Sequence, residues 1–149
     1  MTIEDFKKEI KNWKFTRYKA INLMIGMAAL LVYEVIGRPW YRPYIYSNKI
    51  NDFHFADTLG NSLGTITTIF IFIFLLSNEK VKGNYLIRLG TISVTLFEMA
   101  HPLLGKPIDF WDIAATIITG YICYIVFNYI FKNCNGTIET TQKLLNETH

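Results

Sequence analysis

Thr58–Ser77 reads TLGNSLGTITTIFIFIFLLS, twenty residues without one ionisable side chain. A helix of that length rises about 30 Å, the thickness of the bilayer hydrocarbon. Its core, Ile69-Phe70-Ile71-Phe72-Ile73-Phe74-Leu75-Leu76, would suit a buried strand by propensity, but the whole run has spanning length. Lipid offers no partner to an unpaired backbone amide, so a spanning segment of this kind must be a helix.

Working outward, three further apolar runs follow the same logic. Ala20–Ile36 is short for a span and carries Glu34 near its end. Asn84–Ala100 is the weakest, with Arg88 near its start and Glu98 near its end. Phe110–Phe131 is long and apolar after Asp112. The fold expected is an all-α integral membrane protein of four transmembrane helices. Between them lie a long Gly37–Asp52 linker, a short polar turn at Asn78–Gly83 and a short connector at His101–Pro107, with a polar tail from 133 to 149. The long linker holds Pro39, Pro43, Trp40, Tyr41, Tyr44 and Tyr46, aromatics suited to the headgroup layer. Residues 2–16 read as an amphipathic helix. Thr2 and Asp5 make a capping-box pattern, and Ile3, Phe6, Ile10 and Trp13 form an apolar stripe flanked by Lys7, Lys8, Lys11 and Lys14. That arrangement suits a membrane surface, and equally a solvated helix.

Composition sets outer limits. A chain of 149 residues is one domain, and 51% hydrophobic residues with a mean hydropathy of +0.22 are high for a soluble one. The net charge of +3 is too small and too scattered for a nucleic-acid footprint. Cys123 and Cys134 make no disulfide framework. Residues 1–19 are charged throughout and no small-residue cleavage site follows the first apolar run, so no cleavable signal peptide is expected. With the N-terminus inside, the inner segments hold eleven of the fifteen Lys and Arg. The outer ones hold four: Arg38, Arg42, Lys49 and Lys106. That bias places both termini in the cytoplasm of a multi-pass membrane protein.

The two halves of the sequence resemble one another. Tyr33-Glu34-Val35 ends the first run and Phe97-Glu98-Met99 the third, with Pro39 and Pro102 following. His54-x-x-Asp57 opens the second run and Asp109-x-x-Asp112 the fourth. Asn61 and Thr116 lie one turn further on. Two repeated helical hairpins related by an axis along the membrane normal would give this pattern. It gathers Glu34, Asp52, His54, Asp57, Glu98, His101, Asp109 and Asp112 at one membrane face. Ionisable groups beside hydrocarbon are costly unless paired or wet, and they tend to mark function. Asp57 and Asp112 equally suit plain helix N-termini. Glu34 and Glu98 sit at helix C-terminal ends, where the dipole disfavours an anion, so each needs a partner; Arg38 and Lys106 are the candidates. Gly60-x-x-x-Gly64 and Thr116-x-x-x-Gly120 read as close-packing positions.

Glu98-x-x-His101, Lys106, Asp109, Asp112, Thr116 and Gly120 together resemble the C-terminal motif of VanZ-like membrane proteins. In that family a Glu and a Gln precede a basic residue, spaced Asp residues, an Asn and a glycine. Here His101 stands for the Gln, Lys106 for the Arg and Thr116 for the Asn. The resemblance is best over residues 94–120 and extends to 34–131. It implies a bacterial envelope protein of a family associated with teicoplanin resistance. The leading expectation is binding of a lipid headgroup, a cell-wall precursor or a glycopeptide-like ligand at an outer cluster. That cluster comprises Glu34, Arg38, His54, Asp57, Asn61, Glu98, His101, Lys106, Asp109 and Asp112. Arg38, Arg42 and Lys106 would meet phosphate or carboxylate, and Trp40 and Tyr41 would stack on sugars. Two alternatives stand beside it. One is a metal- or carboxylate-dependent enzyme acting on a lipid-linked substrate, although neither Gly-x-Ser-x-Gly nor His-Glu-x-x-His occurs. The other is a small transporter or oligomeric pore with Glu34 and Glu98 along its path. Membrane lipids are expected partners in every case, and a homo-oligomer is required for the pore. No cofactor is specified by the sequence.

Overall fold

The computed structural model describes residues 11, 13, 15–77, 80–105 and 107–147, all of its regular elements helical. Helix α1 spans Arg17–Val32. It runs on through a π-helical stretch, Tyr33–Tyr41, into α2, Arg42–Ser47. After a loop come α3 (Phe55–Leu76), α4 (Lys80–Met99), one 3₁₀ turn (His101–Leu104) and α5 (Phe110–Glu147). Three segments are long and apolar enough to cross a membrane: Arg17–Ser47, Phe55–Leu76 and Phe110–Cys134. Helix α4 has twenty residues but carries Lys80, Lys82, Arg88 and Glu98, and it falls short on composition.

Two expected boundaries are corrected. The linker placed at Gly37–Asp52 is helical as far as Ser47. Pro39 has no N–H to donate and its ring clashes with the carbonyl four residues back, which ordinarily ends or kinks a helix. Here the backbone widens instead: the Arg42 N–H bonds to the Gly37 carbonyl, five residues back, and the chain stays helical past the proline. The polar tail from 133 is likewise not a break, because α5 continues to Glu147. The amphipathic helix expected over 2–16 falls largely outside the described residues. At its end Trp13, Phe15 and Thr16 are in no helix. Thr16 instead N-caps α1, its hydroxyl accepting from the Lys19 N–H at 3.3 Å.

Helix α3 is the centre of the bundle, touching α1, α4 and α5. Helix α5 also touches α4 and α1, whereas α1 and α4 make no contact. The apolar core lies near the end where α3 stops and α4 begins. It contains Tyr18, Ile69, Phe70, Ile73, Leu86, Ile87, Cys123 and Phe127. Small residues set the helix spacings there. Gly26 of α1 lies against Ile71, and Gly90 of α4 against Ile69, each leaving 3.0 Å for an added Cβ. A Cβ on Gly83 would overlap the Phe127 ring, and one on Gly120 would overlap Thr91. Of the glycine pair in α3, Gly60 meets the Tyr33 ring as expected of a packing position. Gly64 has nothing within 4 Å and makes no close helix contact within the chain.

These spacings predict a contrast between two single substitutions. Gly83→Ala should lower stability by about 1–3 kcal/mol, the usual cost of overpacking. Gly64→Ala should leave it unchanged or slightly raised. Thermal unfolding of the detergent-solubilised variants, side by side with the parent, is the measurement.

Candidate functional site

Successive helices alternate in direction, so the starts of α3 and α5 meet the end of α4 and the π-helical end of α1 at one end of the bundle. Two aspartates there are helix caps. Asp109 accepts from the Trp111 N–H at 2.8 Å and opens α5. Asp52 accepts from the Ala56 N–H at 2.7 Å and from the Tyr41 hydroxyl at 3.1 Å, which secures the start of α3. Both groups satisfy backbone donors that a helix start leaves exposed. Between them, Phe53 and His54 hold left-handed backbone at φ 56 and φ 64. That conformation turns the chain into α3 and lays the His54 ring on Trp111, with centroids 5.2 Å apart and planes 14° from parallel. The two helix starts are thereby joined.

One turn inside, the partners diverge. Asp57 accepts from the Tyr46 hydroxyl and lies 3.1 Å from His54 Nδ1. Tyr46 and Tyr33 also take the guanidinium of Arg42, at 3.2 and 3.4 Å, but Arg42 Nε is buried without a partner. Asp112 has Asn61 within hydrogen-bonding reach, with Asp57, Asp109 and Glu98 close enough to act on it electrostatically. Its second oxygen, Oδ1, is buried and unpartnered. Thr116, one turn deeper, is fully buried and its hydroxyl also lacks a partner. This is unusual within the bundle, because Thr65, Thr67, Thr91 and Thr95 all donate back to the carbonyl four residues earlier.

Glu98 completes the group. Only 3% of it is exposed, and its Oε2 lies 3.1 Å from Nδ1 of His101. That distance is an ion pair's when the ring is protonated, and Oε2 has no further hydrogen-bond partner. The His101 ring is held edge-on to Phe97, with centroids 5.4 Å apart. Two buried oxygens without a partner, Asp112 Oδ1 and Thr116 Oγ1, thus stand near Glu98, whose Oε2 has only His101. Each such vacancy costs on the order of 1–3 kcal/mol if nothing fills it.

The expected site is therefore divided. His54, Asp57, Asn61, Glu98, Asp109 and Asp112 come together, with His101 beside Glu98. Glu34 does not join them: it is exposed and pairs with Arg38 at 3.4 Å, and the segment that carries it touches neither α4 nor α5. Lys106 lies outside the described residues. Tyr33, Tyr46 and Trp111 enter the site unforeseen. Their signal was only their aromatic character at a membrane interface, which many other residues of this chain share. Trp40 is free on the surface, while Tyr41 is occupied with Asp52 and edge-on to Phe55. Among the described residues, no three His, Cys, Asp or Glu side chains are grouped to hold a metal ion.

No known family profile, curated protein or solved structure matches this chain.

The capping geometry predicts that Asp109→Ala will destabilise the protein by about 0.5–2 kcal/mol, with Asp109→Asn losing much less. Denaturation of the three proteins in the same detergent checks this. Equal stabilities would mean that Asp109 is not acting as a cap.

Proposed function

We propose that this chain is a four-span, VanZ-like protein of the bacterial envelope. Its outer polar cluster binds a ligand bearing hydrogen-bond donors: a lipid headgroup, a cell-wall precursor or a glycopeptide-like molecule. The observation that carries this reading is the set of buried oxygens at Glu98 Oε2, Asp112 Oδ1 and Thr116 Oγ1, none with a hydrogen-bond partner and only the first with an ion-pair neighbour, His101. Ammonium, hydroxyl or amide N–H groups of a ligand would satisfy all three. Arg42 Nε is the complementary vacancy, a buried donor facing the same end of the bundle, and it suits a phosphate or carboxylate on the same ligand. Arg38 and the exposed Trp40 lie at the rim. The likeness of Glu98-x-x-His101 through Gly120 to the VanZ-like motif supports the family, and the repeated His/Asp and Asp/Asp openings of α3 and α5 support two related hairpins.

Helix α4 is the fourth span in this reading. Its twenty residues rise about 30 Å, enough for the hydrocarbon; Lys80, Lys82 and Glu98 lie at its ends, and Arg88 lies near its middle. The excess of Lys and Arg on the other side puts the cluster outside and both termini in the cytoplasm.

Two experiments bear on this. Glu98→Gln keeps the shape of the side chain and removes its charge. The wild-type protein, extracted in mild detergent and analysed by native mass spectrometry, should carry a bound envelope lipid or lipid-linked precursor. The variant should bind it at least about tenfold more weakly while unfolding at a similar temperature. Glu34→Gln, outside the cluster, should bind as the parent does. Undiminished binding in a well-folded Glu98→Gln protein would remove the site.

For orientation, a membrane-impermeant maleimide added to intact cells should label Ser47→Cys and spare the native Cys134. The opposite pattern would move the cluster to the cytoplasmic face.

A further inference from the structure

At mid-length, α4 and α5 border an apolar groove of ≈ 430 Å³. It is lined by Ile87, Thr91, Ile92, Gly120, Tyr121 and Tyr124, with Arg88 at its edge. Arg88 is exposed and has no hydrogen-bond or ion-pair partner among the described residues. A guanidinium without a partner beside a groove of aliphatic and aromatic side chains is a costly arrangement in a membrane, unless an anion from outside the chain completes it. Helix side chains lean toward the helix N-terminus, so Arg88 reaches back along α4 toward the end that carries Lys80 and Lys82. By the charge count that end is cytoplasmic, and the cytoplasmic leaflet is where anionic lipids meet basic pockets between helices.

We propose that this groove is a binding site for an anionic phospholipid of the cytoplasmic leaflet. One acyl chain lies between α4 and α5, and the phosphate is paired with the fork of Arg88. The lining suits an acyl chain because Ile87 and Ile92 of α4 and Tyr121 and Tyr124 of α5 offer apolar walls on both sides. The charge suits an anionic headgroup, because Arg88 brings five donors in a planar fork and no protein acceptor engages them. The groove lies at mid-length of α4 and α5, one turn along α5 from Thr116, and differs from the outer cluster in having a basic rather than an acidic edge.

The test uses the full chain in a neutral detergent, with phosphatidylglycerol, cardiolipin or phosphatidylcholine added, read by native mass spectrometry and by the unfolding temperature. Phosphatidylglycerol and cardiolipin should bind and raise the unfolding temperature, and phosphatidylcholine should do so far less. Arg88→Gln should weaken phosphatidylglycerol binding about tenfold, the loss expected for a charge-assisted pair. Lys132→Gln, an exposed cation elsewhere on α5, should bind as the parent does. The lipid-free unfolding temperature of Arg88→Gln should match the parent, since Arg88 has no partner to lose within the protein. Equal binding by Arg88→Gln and the parent would overturn the proposal, as would no preference for anionic over zwitterionic lipid. An equal loss in Lys132→Gln would reduce the effect to general surface charge and overturn it. A failure of Arg88→Gln to fold, or the loss of a dimer in that variant, would show that Arg88 serves protein contacts, and would overturn it as well.

Discussion

Helix α3 holds the bundle together through one short stretch. Ile69 and Ile71 each receive a glycine from another helix, Gly90 of α4 and Gly26 of α1, while Phe70 and Ile73 fill the core beside them. Between helices in lipid there is no hydrophobic drive comparable to that in water, so close backbone approach and dispersion contacts must supply the attraction. Helices α1 and α4 both lean on α3 and not on each other. The polar side chains gather at the end where α3 and α5 start and α4 stops.

The two ends of the bundle solve opposite problems. Near the core end, Tyr18 stacks edge-on with Phe127 and Phe131, and the glycines bring the helices close. At the other end, backbone N–H groups, tyrosine hydroxyls and His54 satisfy Asp52, Asp57 and Asp109. Glu98, Asp112 and Thr116 keep buried oxygens without a hydrogen-bond partner. A helix C-terminus already disfavours an anion, and burial adds to the cost, so Glu98 is the least comfortable group of the three. His101 sits three residues on and offsets part of that cost by proximity.

Glu34 and Glu98 show how similar sequences acquire different surroundings. Both follow an aromatic residue near the end of an apolar run, and both are followed by a proline. The backbone after Glu34 widens into π-helical turns around Pro39 and continues as helix, so its neighbour is Arg38 on the exposed side. After Glu98 the helix stops at Met99 and turns through a 3₁₀ segment ending at Gly105, whose φ of 73 suits a residue without a Cβ. That stop folds His101 back against Glu98 and keeps the carboxylate inside.

The helical character and the three longest apolar segments were legible from run length, since a stretch such as Thr58–Ser77 has no other way to satisfy its backbone in lipid. So was the gathering of the acids at one end, because successive spans must alternate in direction and the acids sit at alternating ends of the runs. Side-chain surroundings were not legible. Whether Asp109 caps a helix while Asp112 faces its neighbours, or whether Gly64 is open while Gly60 packs on Tyr33, depends on helix phase and on which helices touch. Pro39 read as a break because a single proline usually removes an i→i−4 bond that nothing replaces. Here the chain stays helical past Pro39 because a neighbouring donor, the Arg42 N–H, reaches five residues back to the Gly37 carbonyl, and the π-helical segment that carries Glu34 touches neither α4 nor α5.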